Sequence, residues 1–468
     1  MEVLGVILAA GKGTRFKSER PKVVHRLLGK PMVFYPYRAL LALDPIKVAV
    51  IVGHRAEVVK EELGNYPKVE FFYQENPKGG TGDAVSKARP LLERYPDSAT
   101  VVLNGDSPLL RPETLKAGFE RFLKENLDAL IFTAELEDPT GYGRIVRDGS
   151  GRVVAVVEEK DATEEERRIK EVNGGFYVFK TDLLLEVLKE LKPSPATGEV
   201  YLTDAVKILA ERGFKVDTYR APFEELLGVN DRVQLAEAEK VLLRRKIESL
   251  QREGVTVRLP ETVYVEWDAV VGRDTEIEPH AVLRGNTSVG KNCVIGAGSV
   301  LENAKVGDGV RILPYSFVSD SEVKSGAVVG PFARIRNGCV VGEGAEVGNF
   351  VEMKATAFGG GSKAKHLAYL GDATVGEGVN VGAGVVFANY DGVEKHPTKV
   401  GDRAFIGSNS LIIAPCELGE WSFVAGGSVV NRSVPPRALA VSRPELKILE
   451  NKNPILKKRK KSDKGSNP

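Results

Sequence analysis

The chain has 468 residues, enough for two or three domains. Its 42% hydrophobic and 28% charged content suits a soluble globular protein with a sizeable core. A formal net charge of +2 gives no global field to draw nucleic acid or a membrane surface, and no apolar run approaches a membrane span. The start, MEVLGVILAAGKG, reads as a strand rather than a basic leader with a cleavage site, so a cytoplasmic protein is expected.

The first predicted element is Val3–Ala10, a continuous apolar run of the kind found in buried parallel strands. It runs into Gly11-Lys12-Gly13-Thr14-Arg15, where glycines can turn backbone N–H groups toward an anion and Lys12 and Arg15 add positive charge. The spacing is not that of a P-loop, and the third glycine of a dinucleotide-binding fingerprint is missing. Further strands are predicted at Lys47–Val52, Val69–Tyr73 and Thr100–Leu103, alternating with helical stretches at Arg55–Leu63 and Asp83–Leu92. Such alternation predicts a Rossmann-like α/β domain, a mostly parallel sheet with helices on both faces and ligands at the carboxyl ends of its strands. Asn104-Gly105-Asp106 falls at one such end, where the carboxylate could hold Mg²⁺ or simply shape a turn. Gly79-Gly80-Thr81-Gly82 opens a helix and could receive an anion or the edge of a base, or again form a surface turn.

Asp231–Glu253 reads as one long connecting helix with an apolar stripe that includes Val233, Leu235, Leu242, Ile247 and Leu250, with Asn230 at its N-cap. Beyond it a six-residue beat takes over. Aliphatic residues stand at Val271, Ile277, Leu283, Val289, Ile295 and Leu301, then at Val306, Ile312 and Val318, then from Val323 to Met353. The beat returns at Val375, Val381 and Phe387 and from Val400 to Val430, often followed by glycine. A fixed short period of this kind predicts a parallel β-helix of hexapeptide repeats, three hexads to a triangular coil; a β-sandwich would show period two and irregular turns. Cys293, Cys339 and Cys416 all stand four residues after an aliphatic position. That slot calls for a small half-buried side chain, and an odd, scattered set of cysteines offers no disulfide framework and suits a reducing compartment.

Two gaps break the beat, at 354–374 and 388–399, and the first is expected to project from the coil as a polar loop. It contains His366, the best candidate in the chain for a general base, although a lone loop histidine is more often surface decoration. Arg334 and Lys354 suit a phosphate as fork and point charge, and both equally suit a solvated face.

Leu8-Ala9-Ala10-Gly11-Lys12-Gly13-Thr14-Arg15 followed by Pro21-Lys22 resembles the signature of sugar-1-phosphate nucleotidylyltransferases. Together with the hexapeptide array and the string Gly361-Ser362-Lys363-Ala364-Lys365-His366-Leu367-Ala368-Tyr369, the chain resembles one family over roughly residues 2–445. These are the bifunctional enzymes of UDP-N-acetylglucosamine synthesis, which acetylate glucosamine-1-phosphate from acetyl-CoA and uridylylate the product from UTP. The fold it implies is an α/β nucleotidylyltransferase domain followed by a left-handed parallel β-helix.

The resemblance implies a role for each matching residue. The Gly11–Arg15 loop, with Arg15 and Lys22 as catalytic cations, would handle the triphosphate, and Leu8, Ala9, Gly11, Gly13, Gln74, Gly80 and Thr81 would bind UTP, the last three reading uracil. Gly141, Glu158 and Asn173 would contact the sugar, and Asp106 with Asn230 would hold Mg²⁺. In the coil, His366 would be the base, and Arg334, Lys354, Tyr369 and Asn380 would bind glucosamine-1-phosphate. Ala383, Asn389, Tyr390, Ser408, Gly426 and Arg443 would meet acetyl-CoA. The resemblance also implies a homotrimer with acetyl-transfer sites shared between chains. The sequence departs from the family pattern at Asp83, where a histidine is common, at Asn104, where a tyrosine is frequent, and in a 74–81 segment one residue longer than usual.

The expected boundaries are 1–229 for uridylyl transfer, 230–251 for the connecting helix, 252–445 for acetyl transfer and 446–468 for a solvated basic tail holding Lys457-Lys458-Arg459-Lys460-Lys461. Two other readings compete: a nucleotidylyltransferase for another sugar whose coil only assembles and regulates, and a non-catalytic assembly subunit.

Overall fold

A computed structural model describes residues 1–76, 78–195, 197–450 and 452–455. Pro77 in the 74–81 segment and the basic run Lys457–Lys461 lie outside the described residues. The chain divides into two compact units, Met1–Lys246 and Ile247–Pro468.

In the first unit the leading apolar run forms the strand Val3–Ala9, which pairs in parallel with Lys47–Val52 on one side and Ala99–Asn104 on the other. Along the sheet the strands are ordered Val216–Arg220, Ala129–Glu135, Glu171–Lys180, Ala99–Asn104, Val3–Ala9, Lys47–Val52, Val69–Tyr73. In that order Glu171–Lys180 runs antiparallel to both neighbours. Val3 and Ile7 join one core cluster with Tyr37, Leu40, Val59, Leu63, Phe119 and Phe122. Leu4 and Val6 join a second, with Val85, Leu184, Leu202 and Val206. Helices thus cover both faces, which is why the strand carries apolar residues at every position instead of every second one.

The long helix spans Arg232–Arg252 and is capped differently from the expectation. Asp231 Oδ1 accepts from the Gln234 N–H at 2.8 Å, while Gln234 Oε1 accepts from the Asn230 N–H at 2.7 Å. Asp231 is therefore the cap, and the Asn230 side chain is left to face the cleft described below.

Among the described residues, the second unit is a parallel β-helix of three sheets with 11, 10 and 9 strands. The beat lines its interior. Ile277, Ile295, Ile312, Val329, Val347, Ala364, Val381, Ile406 and Val424 stack in register down one wall. Glycine follows the interior residue because the next coil's backbone lies against it. A Cβ on Gly348 would stand 2.1 Å from the Lys365 carbonyl oxygen, and one on Gly272 would stand 2.7 Å from the Gly290 carbonyl carbon. The slot four residues after the interior position takes small buried groups that bond the next coil. Thr275 Oγ1 donates to Gly290 O at 2.8 Å, Cys293 Sγ to Gly307 O at 3.0 Å and Ser362 Oγ to Gly376 O at 2.7 Å. All three cysteines are free and buried in that slot, as expected.

The loop expected at 354–374 is not a loop. Phe358, Ala364, Leu370 and Val375 are buried at interior positions of regular strands, Ala357–Phe358, Lys363–His366, Tyr369–Gly371 and Ala373–Val375. An alanine methyl at Ala364 fills a slot where the pattern has larger apolar residues elsewhere. The second gap is a real insertion: the chain leaves the wall after Ala388 and rejoins it at Thr398, with a bridge between Tyr390 and Lys395 and with Val393 exposed.

Candidate functional site

The carboxyl ends of the first unit's parallel strands open into two clefts with a common wall. One, of about 400 Å³, is lined by Leu8, Gly11, Gly13, Lys22, Gln74, Gly80 and Thr81. The other, of about 680 Å³, is lined by Arg15, Gly141, Glu158, Asn173 and Asn230. Asn104, Asp106 and Glu158 line both. All the nucleotide and sugar candidates meet here except Ala9, whose side chain belongs to the core.

Where the clefts meet, Lys22 Nζ donates to the Asp106 carboxylate and lies 3.3 Å from Asn230 Oδ1. Arg15 Nη2 reaches the same Asn230 oxygen at 3.4 Å. The Val229 N–H donates to Asp106 O at 2.8 Å and ties the two oxygen-bearing loops together. Gly13 has φ +59, and a Cβ on it would stand 2.7 Å from Lys22 Cβ, so glycine is what lets the loop close over the lysine.

In the smaller cleft Gln74 is buried, and its Nε2 donates to Gly80 O at 3.1 Å and to Asp83 Oδ2 at 2.8 Å. Thr81 Oγ1 accepts from the Leu202 N–H at 3.0 Å. In the larger cleft Asn173 stands where the pairing of Glu171–Lys180 slips, next to a site as such irregularities often are. Its Oδ1 accepts from the Gly175 N–H at 2.9 Å and its Nδ2 donates to the Tyr177 hydroxyl at 2.7 Å. Burial pushes the Glu158 pKa up; the Thr203 hydroxyl opposes this, and Asp161, Asp204 and Glu199 add to it.

The Gly141 loop is held by residues that sequence reasoning missed. Its N–H donates to Glu159 Oε2 at 3.1 Å, and Glu159 in turn pairs with the buried Arg144 at 2.7 Å. An arginine within the strand Arg144–Arg147, beside Ile145 and Val146, is the signal that could have found them.

In the second unit the period itself aligns the candidates. His366, Ala383, Ser408 and Gly426 each stand two residues after an interior residue, namely Ala364, Val381, Ile406 and Val424 of one sheet on successive coils. Backbone bonds hold this ridge: Gly384 N–H to Leu367 O at 2.9 Å, Asn409 N–H to Ala383 O at 2.7 Å and Gly427 N–H to Ser408 O at 2.8 Å. The Arg443 side chain closes its far end, with Cδ 3.7 Å from where a Cβ on Gly427 would stand.

A second group sits on the adjoining sheet. Arg334 pairs in register with Glu352, and Glu352 with Tyr369, all facing outward beside interior residues. Lys354 Nζ lies 3.1 and 3.2 Å from the two Asp372 oxygens, and Asp372 also accepts from Asn389 Nδ2. Lys395, on the inserted loop, has its pKa lowered by the Lys354 amine beside it. Tyr390 is exposed on that loop, and its hydroxyl donates to Gly392 O at 2.7 Å. Asn380 lies apart from Arg334 and Tyr369, on the sheet that carries His366, in register with Lys363 and Phe405.

Among the described residues no cluster of three or more His, Cys, Asp or Glu side chains is assembled for a metal, and no helix is long and apolar enough to cross a membrane.

Comparison with known families agrees with this architecture. Residues 4–221 match the nucleotidyl transferase family, 265–358 the GMPPB C-terminal domain and 397–432 the bacterial transferase hexapeptide repeats. The chain is a nucleotidyl transferase joined to a hexapeptide-repeat transferase. It is 50% identical over 454 residues to the bifunctional protein GlmU of Aquifex aeolicus, covering 95% of this chain and 97% of that one. It is 46% identical to the protein of the same name from Hydrogenobaculum sp., over 96% of this chain and 99% of that one. For the Geobacillus sp. protein, also a bifunctional protein GlmU, the figures are 45%, 94% and 95%. The chain belongs to the family of bifunctional GlmU proteins. Membership in a bifunctional family sets aside both the single-activity reading and the non-catalytic one.

Proposed function

We propose that the first unit carries out uridylyl transfer and the second acetyl transfer, so that the chain makes UDP-N-acetylglucosamine from glucosamine-1-phosphate. The observation that carries this reading is the meeting of the two clefts at Lys22, Asp106 and Asn230. One cleft offers the base and triphosphate candidates, the other the sugar candidates, and the cations stand between them.

In the first unit the phosphate oxygen of N-acetylglucosamine-1-phosphate attacks the α-phosphorus of UTP, and pyrophosphate leaves on the opposite side. The chain contributes positioning and positive charge, which is most of what phosphoryl transfer asks of a protein. Lys22 and Arg15 face the phosphates, the Gly11–Arg15 loop turns N–H groups toward them, and Glu158 and Asn173 orient the sugar. Asp106 and Asn230 would hold Mg²⁺. Their oxygens already converge on one cation, Lys22 Nζ, which suits a hard ion that takes few protein ligands. When bound, Mg²⁺ supplies neutralisation of the phosphate charge.

In the second unit His366 takes the proton from the glucosamine amine as nitrogen attacks the acetyl carbonyl of acetyl-CoA, and the coenzyme thiolate leaves. The coenzyme lies along the ridge of Ala383, Ser408 and Gly426, with Arg443 near its phosphates and Asn389 and Tyr390 at the reacting end. Arg334, Lys354, Tyr369 and Asn380 hold glucosamine-1-phosphate. As the family resemblance implies, we propose a homotrimer whose chains share each acetyl-transfer site; that Asn380 stands on a different sheet from Arg334 and Tyr369 supports the sharing. A reducing cytoplasm fits the three buried free thiols. We place the working boundaries at 1–229, 230–251 and 252–445, with 446–468 as a tail.

Supplying glucosamine-1-phosphate, acetyl-CoA, UTP and Mg²⁺ to the full chain tests the reading. UDP-N-acetylglucosamine, free coenzyme A and pyrophosphate should form together, and omitting acetyl-CoA should abolish the UDP-sugar.

A further inference from the structure

We propose that Asp83 makes the base pocket select uracil, by locking the Gln74 side-chain amide with its carbonyl toward the cleft. The inference rests on the reading of the first unit as a uridylyltransferase.

Gln74 follows the strand Val69–Tyr73 and is 7% exposed. Its Nε2 has two hydrogens, and the structure uses both: one to Gly80 O at 3.1 Å, the other to Asp83 Oδ2 at 2.8 Å. The reverse orientation would set Gln74 Oε1 against a carbonyl and a carboxylate, three acceptors with no hydrogen among them. The amide is therefore fixed one way, with Nε2 spent inside the protein and Oε1 as the group left for the cleft.

The neighbours of Asp83 hold it to this task. It lies in the first turn of the helix Gly80–Lys87, where backbone N–H groups favour a carboxylate. Lys87 meets its other oxygen, Oδ1, at 3.3 Å and also meets Glu75 at 3.1 Å, which leaves Oδ2 for the amide. Gly79 keeps the path open, since a Cβ there would stand 2.2 Å from Asp83 Oδ2 and 2.9 Å from Gln74 Nε2. Asp83 itself needs no contact with the nucleotide and acts as a positioning residue.

A fixed acceptor demands a donor on the base. For a base held in one pose, uracil presents N3–H to that acceptor, whereas cytosine presents a bare N3 there and carries its only pairing-edge donor one position away, on N4. Two acceptors face to face leave both unpaired, the situation in which hydrogen-bonding sites discriminate most strongly. At position 83 an amide or a hydroxyl could donate as well as accept, and the Gln74 amide could then turn to suit either base.

The test is kcat/KM with UTP and with CTP, using the full-length chain and N-acetylglucosamine-1-phosphate, for the native protein, Asp83→Asn and Asp83→Ser. The UTP-to-CTP ratio should be on the order of 100 or more in the native chain and fall at least about tenfold in both variants. The ratio is internal to each sample, so a misfolded fraction does not move it. If one variant does not fold, as read from its unfolding transition, the other gives the same readout. A native chain that turns over UTP, with variants whose ratio stays within about twofold of it, overturns the Asp83 assignment alone. A native chain that turns over no UTP overturns the reading of the first unit and the assignment with it.

Discussion

Lys22 and Asp106 form an ion pair where the two clefts of the first unit meet, with side chains only 12% and 25% exposed, and Asn230 Oδ1 lies 3.3 Å from the same ammonium. Three loops far apart in sequence thus present one cation and two oxygens at a single point. Lys22→Met removes the cation while keeping most of the side-chain volume. It should lower kcat/KM for uridylyl transfer by about 10²–10³-fold, the usual cost of removing a transition-state charge contact. Acetyl transfer in the same sample should be unchanged, as followed by coenzyme A release.

The buried carboxylate of Glu158 gives a pH dependence of defined sign. Its pKa is raised above the ordinary 4.5, chiefly by burial. The folded chain therefore binds this proton more tightly than the unfolded chain does. The stabilising contribution is complete below pH 4.5 and is lost as pH rises through the folded pKa. Above the folded pKa the ionised Glu158 opposes folding. Glu158→Gln should raise the Tm of the first unit progressively as pH rises above 4.5, give no gain below it, and weaken sugar binding throughout. Scanning calorimetry across that range checks it.

Cys293, Cys339 and Cys416 are buried, and burial raises the pKa of each thiol. A thiol-specific reagent should leave all three untouched in the native chain and titrate them after unfolding. The slot four residues after an interior residue already holds Ser299, Ser362 and Ser410 elsewhere in the coil. Cys293→Ser should therefore cost no more than about 1 kcal/mol in denaturant unfolding.

Glu159 links the buried Arg144 to the backbone of Gly141 at the larger cleft, the proposed sugar site. Glu159→Ala frees that loop without touching the base side. KM for N-acetylglucosamine-1-phosphate should rise about 3–10-fold while KM for UTP stays put. Steady-state kinetics with each substrate varied in turn separates the two.

The interior wall of the coil was legible because one side-chain class recurs at one spacing, and so were the small residue after it and the cysteine slot. The span 354–374 reads as an excursion because the steps from Met353 to Phe358 and from Leu370 to Val375 fall one short of the beat, and Ala364 fills its interior position with only a methyl. The true excursion, from Asn389 to Pro397, carries Asn389 and Tyr390 and is visible in the sequence as the second gap, 388–399, before Val400. In the first unit the strand ends and their glycines marked the cleft. The contacts that set its detail were not legible, since Gln74–Asp83 and Gly141–Glu159–Arg144 depend on side chains meeting across turns. Asn230 shows the same limit. Its sequence position suggests a helix cap, and only the Asp231–Gln234 bond reveals that the cap lies one residue on.

The central claim is that each unit carries its own reaction, and two substitutions assayed for both activities test it most directly. His366→Ala should abolish acetyl transfer to glucosamine-1-phosphate and leave uridylyl transfer to N-acetylglucosamine-1-phosphate at the native rate. Asp106→Ala should do the reverse. A His366→Ala chain that acetylates normally, or either variant losing both activities while still folded, would contradict the account.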